Sequence, residues 1–178
     1  MNKILAVILI LCLSPLAAAA GELHIQVEGV GEDTPWGHFD LAGKVYIIDP
    51  EVGRVVIEYR DFTIGGQRVE YREGDAQALI EGDVTLQQGD LEVKSGELTA
   101  YLREDRFIFT GAVSLRTEDY QLQAQRVEYW QEEEKLEATG DVTISFEEGS
   151  IHGQHFTLWR EGEKLAGYGP GKAHLKVE

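Results

Sequence analysis

The side chains of this sequence that could do chemistry are mostly carboxylates. Paired carboxylates cleave glycosidic bonds when one acts as an acid and the other as a base or nucleophile, and a repetitive β-protein that cleaves polysaccharide would need such a pair. The candidates are Asp83, Asp141, the run 132–134 and the adjacent Glu147 and Glu148. Each lies at a predicted turn or on the polar side of a predicted strand, so a solvated surface explains them better than an active site. We assign no catalytic residue and predict that the chain is not an enzyme; a polysaccharide-active enzyme is the least favoured alternative.

Other catalytic and metal-binding patterns are also missing from the sequence. The chain has no Gly-x-Ser-x-Gly elbow and no phosphate-binding glycine loop. Its one cysteine, Cys12, lies in the amino-terminal apolar segment. His152 and His155, three residues apart in a predicted strand, would point to opposite faces, which is poor geometry for zinc. The other histidines are isolated: His24, His38 and His174. We predict no metal and no cofactor.

Residues 1–20 have the pattern of a cleavable secretory signal. Lys3 supplies the positive start, 4–13 is an apolar run, and the small residues 17–20 precede Gly21. A retained membrane anchor is the alternative, but the apolar run is only about half of the roughly 20 residues that a span needs. We therefore predict export and cleavage after Ala20, which leaves a mature chain without cysteine or disulfide.

The charge of the chain limits its partners. The formal net charge is −16, and loss of Lys3 with the signal leaves 15 basic and 32 acidic residues, or −17. Such a charge repels nucleic-acid phosphates and anionic membrane surfaces. We predict no nucleic-acid partner.

A glycine that recurs every 29 residues organises the rest of the chain. Repeats start at Gly53, Gly82, Gly111 and Gly140, and a truncated repeat starts at Gly169. Two residues after each of the first four glycines the residue is always valine, and four residues after it is always leucine or isoleucine. Columns that stay apolar through successive copies indicate stacked units with one continuous interior. Residues 21–178 are therefore predicted to be a single repeat-built domain.

The spacing inside a repeat predicts β-structure. Apolar and polar residues alternate with a period of two, and turn-forming residues separate the runs. In the repeat from Gly82 this pattern predicts four short strands, with a turn at Ser95-Gly96. The recurring glycine lies inside an extended run, where we expect it to bend a strand or form a bulge. The predicted fold is all-β, an elongated jelly roll of two facing, mostly antiparallel sheets, with a β-solenoid as the alternative.

A stack of repeats has two exposed ends, and the carboxyl-terminal end contains one strand-like run. Its residues Ala173, Leu175 and Val177 are candidates for a partner edge, because an unpaired edge strand can pair with a strand of another chain. End-to-end assembly of identical chains is the expected result. At the other end, Gly43–Ile47 resembles an additional partial repeat.

Several segments resemble a known family when they are taken together. The segments 82–86, 111–115 and 140–144 resemble the Gly-Asn/Asp-Val-x-aliphatic signature of the OstA-like, or LptA, family of lipopolysaccharide-transport proteins. The strand 124–129 is similar to the family's Ala-x-x-aliphatic-x-Tyr element, and 167–172 is similar to its glycine-rich turn. The resemblance covers about residues 53–175, and the common register of the copies is more specific than any single motif.

The resemblance implies a β-jelly roll in the periplasm that carries lipopolysaccharide, or a related glycolipid, between the two membranes. It implies an inner-membrane-anchored LptC-like protein and an outer-membrane LptD-like barrel as partners, although the chain could itself be the anchored relative. The resemblance also implies an apolar groove for the lipid. The candidates for its lining are the deepest recurring apolar residues, namely Val84, Leu86, Phe107, Phe109, Val113, Leu115, Val142 and Ile144. The main alternative is an exported structural or adhesive β-solenoid whose apolar columns only fill one another.

Overall fold

The computed structural model describes residues 7–11, 23–159 and 164–176. Within these residues the chain forms fourteen strands and no helix. Consequently none of the described residues forms a helix long and apolar enough to cross a membrane. The strands are β1 Val7–Leu11, β2 Leu23–Glu28, β3 Gly37–Asp40, β4 Val45–Ile48, β5 Arg54–Tyr59, β6 Phe62–Gly66, β7 Arg68–Arg72, β8 Gln77–Gln88, β9 Leu91–Tyr101, β10 Arg106–Arg116, β11 Gln121–Trp130, β12 Lys135–Phe146, β13 Gly149–Trp159 and β14 Lys164–Leu175.

One antiparallel hydrogen-bonded sheet contains all of these strands. Its main path runs β1-β2-β5-β6-β8-β9-β10-β11-β12-β13-β14, and the two edge strands do not meet. The long strand β8 pairs through its first half with β7 and through its second half with β6. A short branch of the sheet continues from β7 to β4 and then β3. The predicted all-β antiparallel fold is confirmed.

The recurring glycine folds this sheet into two layers. Gly82, Gly111, Gly140 and Gly169 all have φ between +78° and +81°, a region that costs glycine little and other residues more. The pairing register shifts at each of these glycines; in β8, for example, two residues oppose one residue of β9. Such bulges bend a strand strongly. The glycine therefore bends each strand, as the sequence predicts, and each long strand contributes one half to each layer.

Contacts across the interior show that the two layers face each other. Phe62 lies in the layer that contains the second half of β8, and Phe107 lies in the other layer. The centroids of their two rings are 4.8 Å apart. The buried hydroxyl of Tyr59 donates a hydrogen bond of 3.3 Å to the carbonyl oxygen of Leu102. At the free ends of the layers, Arg60 forms an ion pair of 2.8 Å with the buried Asp105. One continuous apolar core lies between the layers.

The prediction of four short strands per repeat is wrong. Each full repeat from Gly82 onward contains two long strands, because the glycine bulge bends a strand without ending it. The segment Ser95-Gly96, predicted to be a turn, lies inside β9 opposite the bulge of β10. A Cβ on Gly111 would lie 3.3 Å from the Cα of Gly96. The backbones of the two strands therefore approach closely here, and the glycine at 96 leaves room for this approach.

The amino-terminal part of the chain completes the sheet at its other edge. The extra partial repeat predicted at 43–47 corresponds to β4, which pairs with β7. Part of the predicted signal forms β1, which pairs with β2. The rest of the signal, including Lys3, Cys12 and the cleavage site at Ala20, lies outside the described residues.

Candidate functional site

The eight residues predicted to line a groove all lie in the core between the layers. Phe107 and Phe109 lie in one layer, and the other six lie in the opposite layer. The structure therefore brings all of them into one interior. Each is exposed to solvent by no more than 2 %, so this part of the interior is closed along their length. Their contact with a lipid stays a prediction, and it requires the layers to separate.

Tyr71 places a polar group inside the apolar core. Its side chain is completely buried, and its ring stacks on that of Tyr46 with centroids 6.0 Å apart. The hydroxyl has no hydrogen-bond partner in the structure. Burial raises the pKa of Tyr71 to about 12, because the charged phenolate is poorly solvated in the core. This hydroxyl costs stability, since a buried polar group loses its bonds to water.

We expect Tyr71→Phe to raise the free energy of unfolding by about 1 kcal/mol, because it removes an unpaired buried hydroxyl. Urea unfolding measures the change, and Tyr59→Phe is the matched control. That variant should lose about 1 kcal/mol, because its hydroxyl is bonded to Leu102. A loss of stability in Tyr71→Phe would mean that its hydroxyl has a partner in solution.

The same residue gives a pH dependence with a definite sign. The folded chain holds the Tyr71 proton up to a pKa of about 12, above the ordinary phenol pKa of about 10. Below a pH of about 10 the proton is bound in both the folded and the unfolded chain, so stability is at its full value, and stability falls as the pH rises toward 12. Tyr71→Phe should therefore weaken the alkaline loss of stability, which unfolding curves at a series of pH values would measure.

A surface cavity opens between the free ends of the two layers near β14. Its volume is about 600 Å³. Strand ends and turns of one layer supply residues 117–120 and 146–148, and the end of β13 and the start of β14 in the other layer supply 158–159 and 164–165. We call this cavity the mouth.

Four of its residues form an apolar floor: Tyr120, Phe146, Leu158 and Leu165. Five carboxylates form its acidic rim: Asp90, Glu118, Asp119, Glu147 and Glu148. In the described part of its lining, Lys164 is the one basic residue.

The apolar floor is an extension of the core. Tyr120, Phe146 and Leu165 are partly buried and pack against the core cluster, and Leu158 belongs to it. Leu165 occupies the repeat position of Phe107 and Leu136, which are buried in earlier copies. It is partly exposed here because the described sheet ends at β14. The mouth is therefore the place where the edge of the interior reaches solvent.

The apolar floor is not among the sites predicted from the sequence. Phe146 could have been found, because it lies six residues after its repeat glycine, where the two preceding copies have the polar residues Gln88 and Thr117. Tyr120 and Leu165 are ordinary members of the alternating pattern. They differ from the other residues of that pattern only in the folded chain, where they lie between the free ends of the two layers.

The carboxyl-terminal edge lies beside the mouth. Ala173 and Leu175 are exposed on β14, and Val177 lies outside the described residues. In the described part of the chain β14 pairs with β13 alone. Gly153 and Gly167 lie against the ring of Phe156, and a Cβ on Gly167 would come within 2.8 Å of it. Small residues therefore make room for one aromatic ring on the inner surface of this end.

The residues considered for catalysis or metal binding lie on the surface in separate places. Asp83 and Asp141 are exposed in the bulges of β8 and β12. His152 lies 2.7 Å from the hydroxyl of Thr143, and His155 packs against the ring of Tyr168. Among the described residues no group of three His, Cys, Asp or Glu side chains could hold a metal ion.

Comparison with known proteins gives one family and one fold. The sequence model of the family described as "LptA/(LptD N-terminal domain) LPS transport protein" matches residues 63–164. The crystal structure of LptH from Pseudomonas aeruginosa is similar, with a TM-score of 0.60, 10% sequence identity, and coverage of 65% of this chain and 95% of that one. That structure is described as the LptA homologous periplasmic component of a lipopolysaccharide transport device. No curated protein matches this chain significantly. The family match confirms the resemblance seen in the sequence, and the structural match confirms the fold.

Proposed function

Because this chain belongs to the LptA/(LptD N-terminal domain) family of lipopolysaccharide transport proteins, we propose that it carries lipopolysaccharide across the periplasm with the acyl chains covered between its two layers. The observation that carries the proposal is the mouth, where the edge of the apolar interior opens to the surface between the layer ends. The proposed location is the periplasm, after removal of residues 1–20.

The energetics of an acyl chain explain why such a cover is needed. The transfer of a chain of about 12 carbons out of water is favourable by a free energy on the order of 10 kcal/mol, at about 0.8 kcal/mol per methylene. A lipid with several such chains does not cross an aqueous gap alone at a useful rate. Similar repeats would offer successive positions of similar affinity along one path. Energy for directed movement must come from another protein.

The two ends of the layered structure differ in how firmly they are closed. Near the amino-terminal end, the layer ends are joined by the Arg60–Asp105 ion pair and by the hydrogen bond from Tyr59 to Leu102. Near β14 the mouth lies between the described residues of the two layer ends. We therefore propose that acyl chains enter at the mouth and separate the layers from that side. The eight core residues named above then become lipid contacts as the chains advance.

The edges of the sheet support a proposal about assembly. β14 presents an open edge at one end, and removal of the signal with β1 would free the edge of β2 at the other end. Open edges pair with strands of other chains. We propose that identical chains join end to end through these edges, and that an LptC-like protein and an LptD-like barrel bind at the two ends of the assembly. In this proposal the chain acts as the bridge and not as the anchored relative.

A second candidate function rests on the closed core. The eight predicted groove residues are almost fully buried by the protein itself, as expected for an exported structural or adhesive protein with a dry interior. Lipid labelling separates the two functions.

The test uses lipopolysaccharide with a photoreactive acyl chain and the purified mature protein. After irradiation, mass spectrometry of peptides should place adducts on Leu165 at the mouth and on Leu115 and Ile144 inside. Ser114 and Ser145, exposed neighbours of the last two, are the internal controls and should remain unlabelled. Absence of adducts at all interior and mouth positions would overturn the transport function and favour the structural one.

A further inference from the structure

We infer that the mouth selects amphiphiles whose head group is cationic, so that the glycolipid carried by this chain presents amine groups next to its acyl chains. This inference rests on the proposed function and adds the charge of the ligand. It is carried by two features of one cavity, the apolar floor and the acidic rim.

The arrangement of the mouth matches the two parts of an amphiphile. The floor residues Tyr120, Phe146 and Leu165 contact the core cluster, so an acyl chain that lies on them continues an apolar surface. The rim residues Glu118, Asp119, Glu147 and Glu148 are exposed at the turns above the floor. A lipid with its chain on the floor therefore holds its head group among these carboxylates.

The charges at the mouth are strongly unbalanced. Among the described residues, the lining contains five carboxylates and one ammonium group, that of Lys164. Lys176 adds a second positive charge nearby, since its ammonium group donates to the backbone carbonyl oxygen of Glu147, at 3.3 Å, and the five carboxylates still outnumber the two ammonium groups. A cleft lined by charges of one sign attracts ligands of the opposite sign and repels ligands of the same sign. Phosphate groups beside the acyl chains are therefore disfavoured at this position, and amine groups are favoured.

The net charge of the whole chain adds to this preference without creating it. Acidic residues exceed basic ones throughout the sequence, and salt screens charges that are more than about 10 Å apart at moderate ionic strength. A general effect of net charge would thus be the same for any acidic residue that is removed. A local effect would depend on the rim residues alone, which makes the two effects separable by mutation.

The experiment measures the binding of three amphiphiles that share a dodecyl chain and differ in the head group, which is trimethylammonium, phosphocholine or phosphate. Titration calorimetry is done on the mature protein, below the micelle concentration and with a chelator present. One variant removes four of the five rim charges and keeps Asp90: Glu118→Gln, Asp119→Asn, Glu147→Gln and Glu148→Gln. The matched control removes the same charge from exposed residues outside the mouth: Glu32→Gln, Asp33→Asn, Glu51→Gln and Asp75→Asn. Thermal unfolding checks that both variants remain folded.

We expect affinity to fall from trimethylammonium to phosphocholine to phosphate, with about a tenfold difference between the extremes at low salt and a smaller one at high salt. The rim variant should lose most of this preference, and the matched control should keep it. Equal or tighter binding of the phosphate amphiphile would overturn the inference, as would equal loss of preference in both variants. In either case lipopolysaccharide adducts at Leu115 and Ile144 would leave the proposed function standing. If none of the three amphiphiles binds and no adducts form, both proposals fail.

Discussion

Val113→Asp is expected to lower the free energy of unfolding by about 4 kcal/mol, because it places an unpaired carboxylate in the closed core. Val113 is 2 % exposed and lies on β10 opposite Ala124 of β11. No buried basic residue in the described part of the chain can pair with the new charge, since the buried polar side chains there are Ser95, Asp105, Thr117 and Thr157. Urea unfolding followed by far-ultraviolet circular dichroism measures the change.

The control for this prediction is the next residue on the same strand. Ser114 is exposed and lies opposite Lys94 on β9, so Ser114→Asp should change the free energy of unfolding by less than about 0.5 kcal/mol. The comparison also reports on the interior itself. If Val113→Asp is as stable as Ser114→Asp, then water reaches the side chain at 113 and the interior is an open groove without any lipid present.

Gly140→Ala is expected to cost about 3 kcal/mol, and Gly169→Ala only about 1 kcal/mol. The two glycines have nearly the same backbone conformation, with φ of +79° and +81°, so alanine pays a similar conformational penalty of about 1 kcal/mol at either position. They differ in their surroundings. A Cβ at 140 would lie 2.8 Å from the Cβ of Gln125, whereas a Cβ at 169 would meet no atom within 4 Å. The extra cost at 140 is steric.

The same urea assay measures both variants, and their difference isolates the packing of the bulge from its backbone angle. A similar small loss in both would show that the strand around Gln125 moves away easily. In that case the bulge would be held by its φ angle alone, and the bend between the layers would be softer than the structure indicates.

The recurring glycine shows how far the sequence predicts this fold. Its spacing predicted the length of the repeat, and its place inside an extended run predicted the bend in the strand. The bend could be predicted because a positive φ is a local requirement that glycine meets at little cost. The prediction of a turn at Ser95-Gly96 failed for a related reason. Small residues also occur where two backbones approach, and the sequence does not distinguish a close approach from a turn.

The sequence predicted the buried residues of the site but not the residues that line the mouth. Val84, Leu86 and Ile144 are interior residues because alternation along a strand decides which face is apolar, and their burial follows from that alternation. Phe146 and Leu165 also follow the alternation, yet they line the mouth. Their exposure depends on the meeting of two layer ends that lie in different parts of the chain.

By itself, the sequence determined the β-structure, the repeat, the inward face of each strand and the membership of a transport family, since all of these depend on local spacing or on motifs read in register. Only the tertiary structure decided that the interior is closed along its length and open beside β14. It also decided that the carboxylates of three separate turns surround that opening. Such facts depend on where the layer ends come to lie after the sheet folds, and residues distant in sequence meet there without any pattern that relates them along the chain.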